Sequence, residues 1–390
     1  MEKNIIDLWE FVEDSWSVIL KDAFRNSLKS EIKKFKFQKD ISSRAGISIE
    51  SLRNFLRGRY CMSIGTLKCI QEILHIPQKT LIKNIEKICI KSRKNGISPS
   101  NIQIDSFFSE WYGLWMGEGD HSTTREAISM TNYCTDILLT HLKMLKRLQI
   151  PPVNIKVEII TNTKDRIQRI RNRWAIILDI PKDQISYVGY MSNATEEGAR
   201  VQVWSAPLFR LLHKAEPIIK DYIKKSRNLS ISYIKGIFAA EGNIRKDKKT
   251  IRLGMKRQLE VLYIQNLLGQ MGIKTPKLYF NPNNKAYELR IFGYENLSKF
   301  QAINGFGKQS KRGAILDETL DSYERFTSKT MLNKITAHLL KEKELTNNQL
   351  AKYLNRHSRW MATISKNLTK KRILQVNTHE KAYKYSLNTN

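Results

Sequence analysis

Four cysteines in 390 residues, Cys61, Cys69, Cys89 and Cys134, are too few and too scattered for a disulfide framework. No C-x-x-C pair occurs and the seven histidines do not gather beside the thiols, so spacing argues against a structural zinc site. Reduced thiols fit an intracellular chain. No apolar run approaches the roughly 18 residues that a membrane helix needs. The opening MEKNIIDLWEFVEDSW is acidic and amphipathic, unlike the basic-then-apolar plan of a signal peptide. A soluble, intracellular protein with no membrane partner is expected. Acid is also scarce: 37 Asp and Glu stand against 67 Lys and Arg, a net charge of +30. An excess of that size fits a polyanionic partner, above all nucleic acid. Hydrophobics at 41% and aromatics at 9% are ordinary for a folded protein, which argues against wholesale disorder.

Residues 1–90 read as helices joined by short turns, and the stretch 91–105, rich in Lys, Gly, Ser, Pro and Asn, reads as a linker. From 106 to 327, helical runs alternate with β-type segments: AISMTN, VNIKVEII, RWAIILDI, ISYVGYM, ARVQVWS, TIRLGM, KLYFN and AYELRIF. Residues 328–390 return to short helices and close on a candidate hairpin, RILQVNTHEKAYKYSL.

The middle segment repeats itself. An offset of 123 residues carries Gly113 onto Gly236, Leu114 onto Ile237, Trp115 onto Phe238, Glu118 onto Glu241 and Gly119 onto Gly242. The same offset continues through Ile128 and Ile251, Met130 and Leu253, Leu145 and Leu268, and Ile150 and Ile273. One shift that carries a helix, a strand and the following helix marks a duplication. The halves are 106–228 and 229–327, and the first holds more β sequence, an expected insertion.

In each half the motif G-x-x-x-x-E-G closes an apolar helical run. Gly113 and Gly117 share one helix face, as do Gly236 and Ala240, so two backbones can cross closely there. Such a crossing brings the helix ends together and sets Glu118 beside Glu241, with Gly119 and Gly242 expected to end the helices just past their last turns. Two adjacent carboxylates at the negative ends of two helix dipoles demand a proton or a cation. Oxygen ligands of this kind suit Mg²⁺, and beside a phosphodiester such a site supports hydrolysis.

The stretches WYGLWMGEG (111–119) and IKGIFAAEG (234–242) resemble the signature helices of the LAGLIDADG homing endonucleases in their single-chain, two-repeat form. The segment ENLSKFQAINGFGKQSKRGAIL (295–316) is similar to the closing region of a family repeat. The resemblance spans about 106–327. It implies an α+β fold of two pseudo-symmetric αββαββα repeats, with saddle-shaped antiparallel sheets lying in the major groove of double-stranded DNA. It implies a monomer that cuts DNA with Mg²⁺ or Mn²⁺, using Glu118 and Glu241 as the catalytic, metal-binding pair and Gly117 and Ala240 beside them in the metal set. Family members surround the pair with basic residues. The candidates are Lys256, at the end of TIRLGMK, and Lys311, after the IxGF turn with Lys308; in the first repeat the offset position of Lys256 falls on Tyr133, beside Asn132. Arg245, Lys246, Lys248, Lys249, Arg252 and Arg290 are the candidate DNA contacts of the second repeat. His121 reads as an ordinary loop histidine. Two other readings of the same scaffold are a DNA-binding regulator that does not cut and an RNA maturase-like factor.

Residues 38–58, QKDISSRAGISIESLRNFLRG, are similar to a phage-repressor-like helix-turn-helix: Gly46 at the turn, Ser42 as the small residue, Leu52 and Leu56 inward and Ser48 as the cap. The second helix would present Arg53, Asn54 and Arg57, with Glu50 and Ser51, to the major groove. Residues 328–390 look like a winged helix, with Thr346 capping 347–354 and a recognition helix at 357–369. It carries Arg356, Arg359, Lys366, Lys370 and Lys371 on or beside it, and the wing turn lies at 379–381. Basic side chains alone promise phosphate contacts, not specificity.

Overall fold

The computed structural model describes residues 4–34, 38–90, 96–97, 101–163, 166–323, 328–354, 358–378 and 383–388. The chain divides into two compact units, Met1–Asp321 and Ser322–Asn390. Among the described residues no helix is long and apolar enough to cross a membrane.

Within the first unit, the N-terminal part holds the helices Asp22–Lys34, Gln38–Arg44, Ile49–Leu56, Ile64–Ile73 and Gln78–Lys83. Gly46 adopts φ +64° at the turn, a left-handed value that glycine takes freely. The Ser48 hydroxyl accepts from the Ser51 amide at 3.0 Å and so caps the second helix of the turn motif. The all-helical expectation for 1–90 misses a three-stranded sheet in which Ser17–Leu20 lies between Met62–Ser63 and Ile85–Cys89. Its strands are short, and SVIL alternates half-buried and buried positions. Asn54 is buried, not presented to solvent; its amide donates to Glu50 at 3.3 Å and its carbonyl accepts from the Arg59 amide. The chain turns back at Gly58 and covers that face, leaving Glu50, Ser51, Arg53 and Arg57 exposed.

Two long apolar helices, Ser106–Glu118 and Arg227–Glu241, form the centre of the unit. Asp105 and Ser226 cap their starts through hydrogen bonds to the Phe108 and Leu229 amides. Each helix heads a four-stranded sheet. In the second half the order is Gly242–Arg245, Thr250–Met255, Ala286–Phe292, Tyr279–Asn281, all antiparallel. In the first half it is Ala127–Asn132, Gly198–Trp204, Ile155–Thr161, Ile185–Tyr190, and the last pair is parallel.

The halves differ for two local reasons. The strand that follows the first signature helix shrinks to a single bridge, Gly119 to Met130, which the 123-residue offset maps onto the Gly242–Leu253 pair. The fourth strand of the first sheet comes instead from an insertion. A parallel neighbour requires a crossover, and it is supplied by the helix Ile167–Leu178. That helix overturns the reading of RWAIILDI as a strand. Ile170, Trp174, Ala175 and Leu178 are its buried residues, a helical spacing, whereas Ile176 and Ile177 face solvent.

The helix Ala206–Lys225 leads into the second signature helix. A buried ionic group fixes the packing around it. Glu260, 1% exposed, accepts from Lys220 Nζ at 2.5 Å and from the Tyr233 hydroxyl, and Lys220 also reaches Glu216 at 2.6 Å. A buried carboxylate paired in this way avoids the large cost of an isolated one.

The second unit comprises the helices Ser328–Glu342, Asn347–Tyr353 and Ser358–Lys370 and a sheet ordered Leu345–Thr346, Lys384–Leu387, Leu374–Asn377. Thr346 and Gln349 form a reciprocal capping box at the second helix. Ile335, Leu339, Leu350, Met361 and Leu374 make its core. Arg356, the side chain of Arg359 and the turn 379–381 lie outside the described residues. Lys366 and Lys370 are exposed on or at the end of the third helix.

Candidate functional site

The two signature helices touch along their glycines. A methyl group on Gly236 would overlap the Glu110 carbonyl oxygen, and one on Gly113 would overlap the Tyr233 carbonyl oxygen. Residues 110 and 233 are themselves offset mates, so the crossing is pseudo-two-fold at the level of single atoms. Further along, a methyl on Gly117 would stand 2.5 Å from the Ala240 Cβ and 3.1 Å from the Glu241 Cγ. Only backbones without side chains fit this closely.

Gly119 and Gly242 end the helices, as expected. Their φ values are −71° and −72°, ordinary extended backbone. They are glycines for lack of room. A methyl at 242 would lie 2.5 Å from the Phe238 carbonyl oxygen, and one at 119 would lie 2.6 Å from the Trp115 ring.

At this foot stand Glu118 and Glu241. Burial, and after it the neighbouring charge of Glu241, raise Glu118 to about 7 against the opposing effects of Arg312 and the Asn132 amide. Glu241 keeps an open face to solvent and is also raised, by burial first, with Arg312 opposing. Both members of the pair therefore hold protons more tightly than an ordinary glutamate, and the charge of one raises the other. Asn132 Nδ2 donates to Glu118 Oε1 at 2.9 Å, while its own carbonyl accepts from the Cys134 amide at 2.8 Å, so the donor is fixed from both sides.

Arg312 is the basic residue that the geometry brings to the pair. Its guanidinium donates to the carbonyl oxygens of Phe238 at 3.2 Å, Ala239 at 2.9 Å and Ala240 at 3.3 Å. It thus caps the last turn of the second signature helix and sets positive charge beside Glu241. The sequence reading named its neighbours Lys308 and Lys311 but missed Arg312. The signal was the basic run KQSKR, and only the phase of the helix Ser310–Asp321 decides which of its members turns toward the acids.

The other candidates are placed elsewhere. Lys311 is exposed, pairs with Glu196 at 2.8 Å and lies 6.0 Å from the Tyr133 ring centroid. It stands beside the first-half residue that the offset matches to Lys256. Lys256 itself is exposed one residue past its strand, and no contact joins it to either carboxylate among the described residues. Met255 occupies the position of Asn132 in the second half, so the two acids have different neighbours. His121 is held by the fold: its Nε2 lies 3.0 Å from the Trp115 carbonyl, and burial lowers its pKa.

Strand alternation puts Asn243, Arg245, Thr250, Arg252, Arg290 and Tyr279 on the outer face of the second sheet. Lys246 and Lys248 lie in the turn beyond it with Lys249, which has φ +46°. Arg245 pairs with Asp247 at 2.7 Å and Lys246 with Glu318 at 2.7 Å. The first sheet turns Ser129, Thr131, Lys156, Arg200 and Gln202 the same way. Sequence reasoning missed these, although the alternation in ARVQVW already separates Arg200, Gln202 and Trp204 from the buried valines.

The carboxylate pair fits a divalent cation. Half-buried Glu118 and the more exposed Glu241 are crowded together with raised affinities for protons, and the nearby arginine is engaged with carbonyl oxygens rather than bridging them. Among the described residues no cluster of three or more His, Cys, Asp or Glu forms a protein-only cage. The fit is therefore to a cation whose remaining ligands are water and substrate oxygens, as Mg²⁺ prefers.

The raised acid has a consequence for stability. A carboxyl whose folded pKa exceeds its unfolded value binds a proton more tightly when folded, so stability falls as pH rises from the ordinary glutamate range, about 4.3, toward the folded value of about 7. In metal-free buffer the urea midpoint should be lower at pH 8 than at pH 5, Glu118→Gln should flatten that drop, and Mg²⁺ should restore the pH 8 value. A wild-type midpoint that is equal at both pH values would contradict the crowding of the pair.

Residues 228–305 match the family profile described as a LAGLIDADG-like domain. That span contains the second signature helix and its whole sheet. No curated protein matches the chain. Among solved structures, the homing endonuclease I-DmoI in complex with DNA and Ca is 13% identical, covering 55% of this chain and 98% of its own at a TM-score of 0.36. Full-length DUF199/WhiA from Thermatoga maritima is 14% identical, covering 69% of this chain and 92% of its own at a TM-score of 0.35. Similarity at this level carries no inference about activity.

Proposed function

We propose that this chain is a site-specific DNA endonuclease that hydrolyses phosphodiester bonds with a divalent metal ion. The observation that carries the reading is the meeting of Glu118 and Glu241 at the foot of two glycine-nested helices, between two sheets whose outer faces are basic. In this reading Glu118 and Glu241, both ionised, hold Mg²⁺ or Mn²⁺, with the backbone at Gly117 and Ala240 beside it. Such an ion supplies positive charge for the oxygens of the phosphodiester undergoing hydrolysis. Asn132 keeps the Glu118 carboxylate in one orientation, and Arg312 anchors the turn that carries Glu241. The two sheets grip the duplex on either side through Arg200, Arg252 and Arg290, with Lys156, Lys246 and Lys248 at their edges. The helix-turn-helix (Arg53, Arg57) and the C-terminal unit, read as a winged helix (Lys366, Lys370), lengthen the footprint. The protein acts as an intracellular monomer on double-stranded DNA.

Nicking of supercoiled plasmids or a genomic DNA pool in Mg²⁺ or Mn²⁺, followed by mapping of the cut sites, tests this. A specific observation favours a second reading, a DNA-binding regulator that does not cut: neither Lys256 nor Lys311 reaches the carboxylates. Specific binding with no nicking in either metal would select it.

A phosphate-tracking surface with +30 net charge should also bind with a steep salt dependence. Between 50 and 200 mM salt, affinity for duplex DNA should fall on the order of a hundredfold or more. A flat response in a filter-binding titration would remove the phosphate grip from the proposal.

A further inference from the structure

On a surface built to meet phosphate, most basic side chains need only be present; a few are held. Arg290 sits in the middle of the outer face of the second sheet. Its guanidinium donates to Glu288 Oε2 at 2.8 Å and lies over the Tyr279 ring, 5.0 Å from the centroid. Glu288 in turn accepts from Asn281 Nδ2 at 2.8 Å, so the carboxylate that aims the arginine is itself aimed. Arg200 occupies the corresponding region of the first sheet. Its Nε donates to Thr131 Oγ1 at 3.1 Å, and its guanidinium lies 3.7 Å from Glu158 Oε2. Glu158 likewise accepts from an amide, Gln202 Nε2 at 2.8 Å.

Strand register sets these groups among the outward residues, opposite Arg252 in one sheet and Thr131 in the other. Glu158 and Glu288 are the acids of those two faces among the described residues. A carboxylate there opposes phosphate binding, so for non-specific affinity alone each is a liability. Its effect on the arginine is orientational. Arg290 is pinned on one edge by a carboxylate and supported on one face by an aromatic ring, and Arg200 is held at Nε by Thr131 with the Glu158 carboxylate 3.7 Å away, so each guanidinium keeps N–H donors free in a fixed plane. That geometry matches the O6 and N7 acceptors of guanine in the major groove, where a bidentate arginine is the commonest specific contact. A mobile phosphate-binding lysine would need none of it.

We propose that Arg290 and Arg200 each read a guanine, one in each half of the DNA target, and that Glu288 and Glu158 are the positioning residues that aim them. The proposal rests on the DNA-binding reading above and extends it from affinity to base identity.

The test uses the full chain and a random duplex pool, with binding read out so that cleavage is not required. The wild type should select duplexes with a guanine at one position per half-site, and replacing that guanine should weaken binding by at least about tenfold. Arg290→Lys keeps the charge and loses the fork. It should abolish the guanine preference in its half while holding non-specific affinity within about twofold. Arg290→Gln should move the preference at that one position toward adenine, whose N6 and N7 a glutamine matches; a purely structural arginine would show no such switch. Glu288→Gln should relax the same position and raise non-specific affinity. Retention of the guanine preference in Arg290→Lys, or an unchanged base at that position in both Arg290→Gln and Glu288→Gln, would overturn the proposal while leaving DNA binding intact. A wild type that binds duplex DNA with no base preference overturns it too, and one that does not bind duplex DNA overturns the DNA-binding reading itself.

Discussion

Glu118→Gln and Glu241→Gln should each reduce DNA cleavage by roughly a thousandfold or more, about 4 kcal/mol of lost barrier reduction, while affinity for the target stays within a few fold. Glutamine preserves volume and one accepting oxygen but replaces the other with an amide donor and removes the charge that a divalent cation requires. The DNA grip is spread over two sheets and flanking modules, so one neutralised acid changes it little; removal of a negative charge near phosphate should, if anything, tighten binding. The two substitutions need not be equal. Glu118 is the more buried of the two and has a fixed amide neighbour, whereas Glu241 is more exposed and lies beside Arg312. Nicking and linearisation of a plasmid carrying the target resolve the two strands. Wild-type rates in either variant would remove the acid pair from the mechanism.

Gly236→Val should be the most destabilising single exchange in the unit. The helix crossing leaves no volume at this position: the first carbon of any side chain would overlap the Glu110 carbonyl and stand 2.8 Å from the Leu114 amide. These are backbone atoms in the middle of a helix, and they move only if the two helices part. Overpacking in an ordinary core costs about 1–3 kcal/mol; here relief requires loss of the central interface, so about 3 kcal/mol or more is expected, a fall in Tm of roughly 5 °C or more for a unit of this size. Gly113→Val should behave in the same way, because its methyl would overlap the Tyr233 carbonyl across the pseudo-axis. Gly269 provides the control. It lies in the helix Gln258–Gln270 with nothing within 4 Å of an added methyl, so Gly269→Ala should be neutral or stabilising by up to about 1 kcal/mol. Thermal denaturation of the three variants decides it, and a Gly236→Val protein as stable as Gly269→Ala would refute the close crossing.

Local patterns were legible without coordinates. The offset of 123 residues located both signature helices and the acids that end them, because a small residue every fourth position and a terminal carboxylate are properties of one helix. The turn at Gly46 and the caps at Ser48 and Thr346 were readable for the same reason. RWAIILDI was misread because isoleucine-rich runs suit a strand as well as a helix, and only the crossover demanded by a parallel neighbour decides between them. Asn54 was assigned to solvent because nothing in its own helix shows that the chain folds back over it.

The sequence by itself therefore determined that the chain is duplicated, that each half ends a nested helix on a glutamate, and that the surface is strongly cationic. These follow from periodicity and composition, which are one-dimensional. The tertiary structure alone decided which basic residue attends the acids, which arginines are held by carboxylates, and why Gly119 and Gly242 are glycines. The Arg312 cap and the Arg200 pair depend on atoms far away in the chain, the Phe238 carbonyl and the Glu158 carboxylate, and the crowding at Gly119 and Gly242 depends on how Trp115 and Phe238 pack one turn back. Distances of that kind are set by helix phase and strand register, which a linear sequence constrains only through the packing of the whole.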